Sequence, residues 1–557
     1  MNFCALNRPQ IIQELKSNAF DVLVVGGGIT GAGIALDAAS RGLKVALVEK
    51  HDFAFGTSSR STKLIHGGLR YLKQLEFGLV KEVGSERAVV HSLAPHLVVP
   101  EKMLLPLQEK RGLGYWLTSL GLKVYDLLAG VKAEDQRRML TRTQTLRAEP
   151  LLRKDGIKGG AIYAEYRTDD ARLTIEIIKA AVANGAVILN YVEGVSFEIE
   201  SKRIGGMTVV DSFSGERFNI SATCVVNAAG PWVDDLRKEN RSLIGKRLHL
   251  TKGVHIVLPR ARLPINQAIY FDVEEDGRMI FAIPRGRTTY VGTTDTTYAR
   301  NKEEVFTDLD DAEYLVRALN STFPTANITL SDIESSWAGL RPLIHEDGKS
   351  ASELSRKDEI FESDTGLISI AGGKLTGYRK MAERVVNMVV RNFFAERNLK
   401  ACMTKDIKLA GSHFRNEKER RNYENTIVAN LSAEGISEHS ARTIVENFGS
   451  QSNSILNNYV AEKSADPQTG IVKAVLEFCL YHEMTATLND FFIRRTGMLY
   501  FDIAQVDKHK VWVAEFMKEF YNWDNTRTMK ELAALDFQLS RARLNQASAL
   551  SGGLADT

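Results

Sequence analysis

The sequence predicts an α/β protein of three domains: a discontinuous Rossmann-like domain, an antiparallel-sheet capping domain and a C-terminal all-helical domain. Three observations carry this. Near the N-terminus an apolar run, Val22 to Val25, enters the turn Gly26-Gly27-Gly28-Ile29-Thr30-Gly31, then a small-residue helical stretch and a second apolar strand, Val45 to Val48, ending in Glu49. From Leu248 to Asp295 short strands rich in Val, Ile, Tyr, Phe and Thr are split by Pro and Gly. From about Lys405 the chain turns strongly helical with alternating charge. Strand–helix–strand units build parallel sheets, whereas consecutive short strands build antiparallel ones.

The first unit is Rossmann-like. The spacing Gly26-x-Gly28-x-x-Gly31 fits a tight turn, close backbone approach to a pyrophosphate, and close packing of helix on strand. The helix N-terminus offers free N–H groups and partial positive charge to that pyrophosphate. Glu49 is placed to accept hydrogen bonds from a ribose. A dinucleotide site follows, with nicotinamide and flavin both admitted at this point.

The unit is then interrupted. Arg172 to Asn184 reads as a helix and Ala186 to Asn190 as a strand, followed by alternating strands and by Cys224-Val225-Val226-Asn227-Ala228-Ala229-Gly230-Pro231-Trp232. That run is a short buried strand ending in a small-residue turn, suited to a second backbone approach to the cofactor. The capping strands are Val254 to Leu258, Ala268 to Phe271, Met279 to Ile283 and Thr289 to Gly292. Gly366 to Gly373 returns to strand-then-glycine, and Thr376 onward is helical. The expected domains are therefore 1–105, 160–247 and 350–400 for the dinucleotide, 106–159 and 248–349 for the cap, and 405–545 for the helical domain. A flexible tail, 546–557, ends the chain.

A chain of 557 residues exceeds one core. A net charge of +3 gives no reason to expect nucleic acid. Four cysteines lie far apart without a C-x-x-C pair, so reduced thiols are expected, and neither a disulfide framework nor a metal site. The N-terminus lacks the order of a secretory signal. The longest uncharged stretch near it, between Asp21 and Asp37, falls short of the roughly 18 to 20 residues of a membrane span.

The run Ser58-Ser59-Arg60-Ser61-Thr62-Lys63-Leu64-Ile65-His66-Gly67-Gly68-Leu69-Arg70-Tyr71 closely resembles the FAD-dependent (aerobic, respiratory) glycerol-3-phosphate dehydrogenases, flavoenzymes related to the glycine and D-amino-acid oxidases. The resemblance continues through Asn227 to Trp232, Lys252-Gly253-x-His255-Ile256-Val257, Gly292-Thr293-Thr294-Asp295, Gly339-Leu340-Arg341-Pro342-Leu343 and Gly372-Gly373-Lys374-Leu375-Thr376-x-Tyr378-Arg379-Lys380. The motifs keep their order and cover nearly the whole chain. Ala228-Ala229 departs from the Ala-Thr of some members; both pairs are small.

A flavin needs its pyrophosphate neutralised, its ring kept dry, and donors at the N1–C2=O edge that gains charge on reduction. The resemblance implies FAD held by Gly26, Gly28, Gly31, Glu49, Thr57, Ser58, Ser59, Lys63, Leu64, Val192, Ala229, Gly230, Gly373, Lys374, Leu375 and Thr376. On the residues alone, Thr57 to Ser59 is either a phosphate cradle or a plain turn. Gly372 to Thr376 either aims helix N–H groups at the flavin or is a helix cap with a solvated lysine. No Cys or His sits in an attachment motif, so noncovalent FAD is expected.

Arg70 and Arg341 stand in Gly-rich, partly apolar surroundings where a solvated face is not expected. Guanidinium forks suit a phosphate dianion. The resemblance implies that Arg70, Tyr71 and, in a looser motif, Arg356 bind substrate. It also implies that Arg341 and Lys374 stabilise the alkoxide at the reacting end. His255 lies on a Val/Ile strand, as a core histidine does, but imidazole titrates in the range of a base that takes an alcohol proton. The implied catalytic set is His255, Arg341 and Lys374.

The resemblance further implies oxidation of sn-glycerol 3-phosphate to dihydroxyacetone phosphate by hydride transfer from C2 to FAD N5, with electrons passed to membrane quinone. The alternative is an oxidase that reduces oxygen to peroxide. A third reading, a flavin-binding regulatory or tRNA-modifying protein, has no use for Arg70, His255 and Arg341 together. Residues 112–132, with apolar positions Leu113, Trp116, Leu117, Leu120, Val124, Leu127 and Leu128 at helical spacing, are either an interfacial membrane helix or a stripe packed on the cap. A cytoplasmic protein, peripheral on the inner face of the plasma membrane, is expected, and a homodimer is compatible.

Overall fold

The computed structural model describes residues 3–66, 77–109, 123, 136–345, 358–461 and 466–544. Two sheets and a C-terminal helical layer make up the described fold. In the first sheet the strand order is Glu359–Glu362, Ile368–Ala371, Arg217–Asn227, Ala19–Val25, Val45–Glu49, Val187–Asn190. All pairings except that of the first edge strand are parallel. An antiparallel ribbon, Val192–Glu200 with Arg203–Asp211, extends it.

Burial along the central strands is continuous rather than alternating: Val22, Leu23, Val24, Ala46, Leu47 and Val48 are all fully buried. A parallel sheet covered on both faces requires this. Helix Ile29–Ser40 packs against Asp170–Ala183 and Tyr378–Phe393, so the glycine-rich turn joins a strand and helix that both belong to the core.

The second sheet is built around the long strand Leu248–Pro259, which pairs antiparallel with Thr288–Gly292 and Ser335–Ile344. The sheet continues through Met279–Arg285, Ala268–Asp272, Val99–Gln108 and Ile157–Arg167 to Leu64–Ile65. Residues 99–105, 160–167 and 64–65, expected in the dinucleotide domain, thus pair in the second sheet. Their apolar patterning makes them strands, but the choice of sheet is set by partners distant in sequence, on which local pattern is silent.

The C-terminal helices, among them Pro467–His482, Ile503–Tyr521 and Asn525–Ala542, share one apolar core with second-sheet residues Tyr163, Val257, Tyr290 and Trp337. They are also fixed to the first sheet by buried ion pairs. Arg495 forks onto Asp52 at 2.6 and 2.9 Å, and Arg494 adds a second contact. Both arginines come from one π turn, Asp490–Arg495. Glu483 meets Arg172 at 2.5 and 2.8 Å and Lys179 at 3.0 Å. Asp52 lies three residues beyond Glu49, so the helical layer grips the loop that leaves the dinucleotide strand. Among the described residues no helix is long and apolar enough to cross a membrane. Residues 112–132 (Lys123 apart), and the tail, lie outside the described residues.

Candidate active site

A cavity of about 490 Å³ opens at the C-terminal ends of the parallel strands, where open α/β sheets bind ligands. Strand Ala19–Val25 ends at Gly26, whose φ of +114° favours glycine. A Cβ at Gly26 would lie 2.6 Å from the Ala228 carbonyl oxygen. The turn is pinned on both sides: Gly26 N–H donates to Val48 O at 2.9 Å, and Ala228 N–H to Val25 O at 2.9 Å. Gly28 caps the helix, Ser58 Oγ accepts from Ile29 N–H at 2.9 Å, and Gly31 packs against the Gly26 carbonyl.

Glu49 accepts from Gly27 N–H at 2.7 Å through Oε2 and from His51 N–H at 2.9 Å through Oε1. Each oxygen keeps a further lone pair. Burial raises its pKa, opposed by those two donors.

Of the expected cofactor residues, Gly26, Gly28, Glu49, Thr57, Ser58, Val192, Ala229, Gly230, Gly373, Lys374 and Leu375 line this cavity. Gly31, Ser59, Lys63, Leu64 and Thr376 do not line it. Thr57 donates to Leu340 O at 2.7 Å, tying the turn to the second sheet. Lys63 is buried and donates to Asp170 at 2.5 Å and Ser59 O at 3.1 Å. Leu64 is buried in its two-residue strand. Thr376 accepts from His66 N–H at 3.1 Å and donates to His66 O at 3.2 Å. Gly373-Lys374 leads into the 3-10 turn Leu375–Gly377, which runs on into helix Tyr378–Phe393.

Sequence reasoning missed several lining residues, notably Lys50, His51 and Phe55. Lys50 and His51 directly follow the acid that ends the strand, a usable signal. Their partner was not readable: Glu303 accepts from Lys50 at 2.5 Å and meets His51 Nε2 at 2.7 Å. Those pairs hold its pKa down to about 2.

The second sheet supplies the other half. Across its strands His255 lies opposite both Gly292 and Trp337, Gly253 opposite Gly339, and Thr251 opposite Arg341. Alternation puts Trp337 and Arg341 on one face with His255 and Gly253. The glycines leave room for flat groups. The His255 ring stacks on Trp337 at 4.8 Å and 12° and lies over Gly292; the Arg341 guanidinium lies over Gly253. Arg341 Nη2 donates to Thr293 Oγ1 at 2.7 Å, and Nη1 to Thr294 O at 3.1 Å and Asp295 at 3.3 Å.

His255 is buried, and its Nε2 lies 3.0 Å from Thr62 Oγ1. Burial first, then the charges of Arg341 and Lys63, hold its pKa well below the usual imidazole range. Both causes favour the neutral ring, which has a lone pair to accept a proton. Pro342, next to Arg341, lines the cofactor cavity. Arg70, Tyr71 and Arg356 lie outside the described residues.

The cavity fits a dinucleotide: glycine where a Cβ would strike backbone, a helix N-terminus at the turn, and a carboxylate at the strand end. A family model described as FAD dependent oxidoreductase matches residues 21–379, and one described as the C-terminal domain of alpha-glycerophosphate oxidase matches 402–528. The chain is 48% identical over 539 residues to the aerobic glycerol-3-phosphate dehydrogenase of Bacillus subtilis, covering 96% of this chain and 97% of that one. It is 46% identical over 547 residues to the enzyme of the same name from Staphylococcus epidermidis, covering 98% of each. The solved glycerol-3-phosphate dehydrogenase of Bacillus halodurans, complexed with FAD, superposes with a TM-score of 0.84 at 42% identity over 98% of this chain and 99% of that one. The L-alpha-glycerophosphate oxidase of Mycoplasma pneumoniae, with FAD bound, shares only the fold: TM-score 0.56 at 19% identity, covering 70% of this chain and 98% of that one. With full-length likeness and both family models in chain order, this protein belongs to the FAD-dependent glycerol-3-phosphate dehydrogenase family, and FAD is its cofactor.

Proposed function

We propose that this protein oxidises sn-glycerol 3-phosphate to dihydroxyacetone phosphate and passes the electrons to a membrane quinone. The observation that carries the reading is a buried His255 on the same sheet face as the guanidinium of Arg341, one residue before Pro342 of the cofactor cavity lining. FAD, when bound, accepts the C2 hydrogen with its electron pair at N5. His255 takes the C2 hydroxyl proton, and its lowered pKa keeps the ring ready for it at neutral pH. Arg341 and Lys374 stabilise charge growing on that oxygen. Arg70, Tyr71 and Arg356 are assigned the phosphate.

The cofactor roles follow the same assignment. Gly26, Gly28, Gly31, Glu49 and Val192 serve the ADP half, Thr57 to Ser59 and Ala229-Gly230 the pyrophosphate and its neighbours, and Gly373 to Thr376 the ring. Lys63 and Leu64 support from behind. Residues 112–132 are assigned the membrane contact that quinone reduction requires, on the cytoplasmic face. The alpha-glycerophosphate oxidase description of the matching C-terminal model favours one second reading, electron transfer to oxygen.

Anaerobic mixing of the yellow protein with glycerol 3-phosphate tests the substrate. Bleaching of the flavin absorbance is expected, and no bleaching refutes the reading. A soluble quinone admitted to the reduced protein is expected to restore the colour faster than oxygen does. Rapid peroxide formation on admitting oxygen refutes the quinone assignment in favour of the oxidase.

A further inference from the structure

We propose that Thr62 is a positioning residue: its hydroxyl accepts from His255 Nε2–H and so leaves the lone pair on Nδ1, the atom that takes the substrate proton. The inference rests on the reading of His255 as the base. Nε2 lies 3.0 Å from Thr62 Oγ1, whereas Nδ1 is buried and has no hydrogen-bond partner among the described residues. A neutral imidazole carries one proton, and the bond made by one nitrogen decides what the other can do. If Thr62 donated to Nε2, Nδ1 would hold the proton. It would then be a buried donor without an acceptor, and useless as a base.

With Thr62 accepting, the lone pair sits on Nδ1. As the C2 hydrogen leaves with its two electrons for FAD, the hydroxyl proton passes to Nδ1 and the C–O bond becomes C=O. The imidazolium then donates from Nε2 to Thr62 as before, so its charge creates no second unpaired donor.

The hydroxyl is held in place. Threonine is stiff at χ1, so its oxygen follows the backbone. That backbone is fixed on three sides: Thr62 O accepts from Tyr290 OH at 3.1 Å, Ser61 O accepts from Trp337 Nε1 at 3.1 Å, and Ser61 donates to Asp170 through N–H at 3.0 Å and Oγ at 2.6 Å. Trp337 is also the ring on which His255 stacks. One indole therefore sets both the plane of the imidazole and the chain that carries its partner.

The test uses the full-length, FAD-loaded protein with Thr62→Val, Thr62→Ser and His255→Gln. Anaerobic reduction by glycerol 3-phosphate is followed across pH, and the ring nitrogens of ¹⁵N-histidine-labelled protein are read by NMR. Thr62→Val is expected to slow reduction roughly ten- to a hundred-fold, as when the hydrogen-bond partner that fixes the tautomer of a metal-bound histidine is removed. Its acid limb moves to lower pH, and KM changes by less than about twofold. Thr62→Ser is expected within about threefold of the parent, and the His255 signal absent from His255→Gln reports a proton on Nε2. A parental rate and pH profile in Thr62→Val overturns the proposal. So does equal damage in Thr62→Ser, which marks packing, or an unprotonated Nε2. Parental reduction in His255→Gln, or none in the parent, instead refutes the base or substrate reading, while the NMR signal still reports on Thr62.

Discussion

Gly253→Ala gives the sharpest check on Arg341, because it moves the guanidinium without deleting it. A Cβ built at Gly253 lies 2.1 Å from Arg341 Nη2, 2.5 Å from Cζ and 2.6 Å from Nη1. Ordinary contact begins near 3.4 Å, so the guanidinium must retreat by roughly 1.3 Å. It sits at the far end of a flexible side chain, so the fold tolerates this. The donors to Thr293, Thr294 and Asp295 are lost or lengthened. A charge-assisted contact is worth about 1.5 to 3 kcal/mol, so kcat/KM for glycerol 3-phosphate is expected to fall roughly 10- to 150-fold. Steady-state assay with an artificial electron acceptor, beside FAD content and thermal midpoint, measures this. A kcat/KM within twofold of the parent, at full FAD content, would refute the idea that Arg341 placement on the Gly253 floor matters.

Three further outcomes are expected. Asp52→Asn leaves Arg495 buried without its hydrogen-bonded carboxylate and Arg494 with Asp490 alone, and should cost about 3 to 5 kcal/mol in urea unfolding; a loss under about 1 kcal/mol contradicts it. Those arginines lower the Asp52 pKa from 3.8 to about 2, so its stabilisation of roughly 2 kcal/mol is present above pH 4 and drains as pH falls toward 2. Asp52→Asn should lack that acid limb. Glu303→Gln weakens the bridge to Lys50 and His51 at the cofactor cavity, and FAD release is expected to quicken roughly two- to fivefold in a fluorescence dilution assay, the range of a partly exposed ion pair. An unchanged release rate would show that Glu303 does not hold the cofactor in.

Local pattern located the elements of the dinucleotide turn and of the central cap. The strand before Gly26, the helix after Gly28, the strand ending in Glu49 and the capping strands at 248–292 all stand where apolar period and glycine spacing put them. Residues 64–65, 99–105 and 160–167 were legible as chain segments but not as members of the second sheet. Their partners are supplied by Ala268–Asp272 and by one another, and such pairing is decided by burial over long sequence separations. The same holds for the Arg494–Arg495 clamp on Asp52, more than 400 residues away.

By itself the sequence determined the dinucleotide turn, the family and the residue types that chemistry requires, because steric demands on a glycine turn and the identity of a guanidinium or imidazole are local properties. Only the tertiary structure decided how those groups are presented. It laid His255 over Gly292 against Trp337, set Arg341 over Gly253, and left Nε2 rather than Nδ1 facing Thr62. The physical reason is sheet register. Residues facing one another across antiparallel strands are paired by hydrogen bonds between positions 29 to 96 residues apart, and it is there that a glycine becomes the floor under a guanidinium or an imidazole.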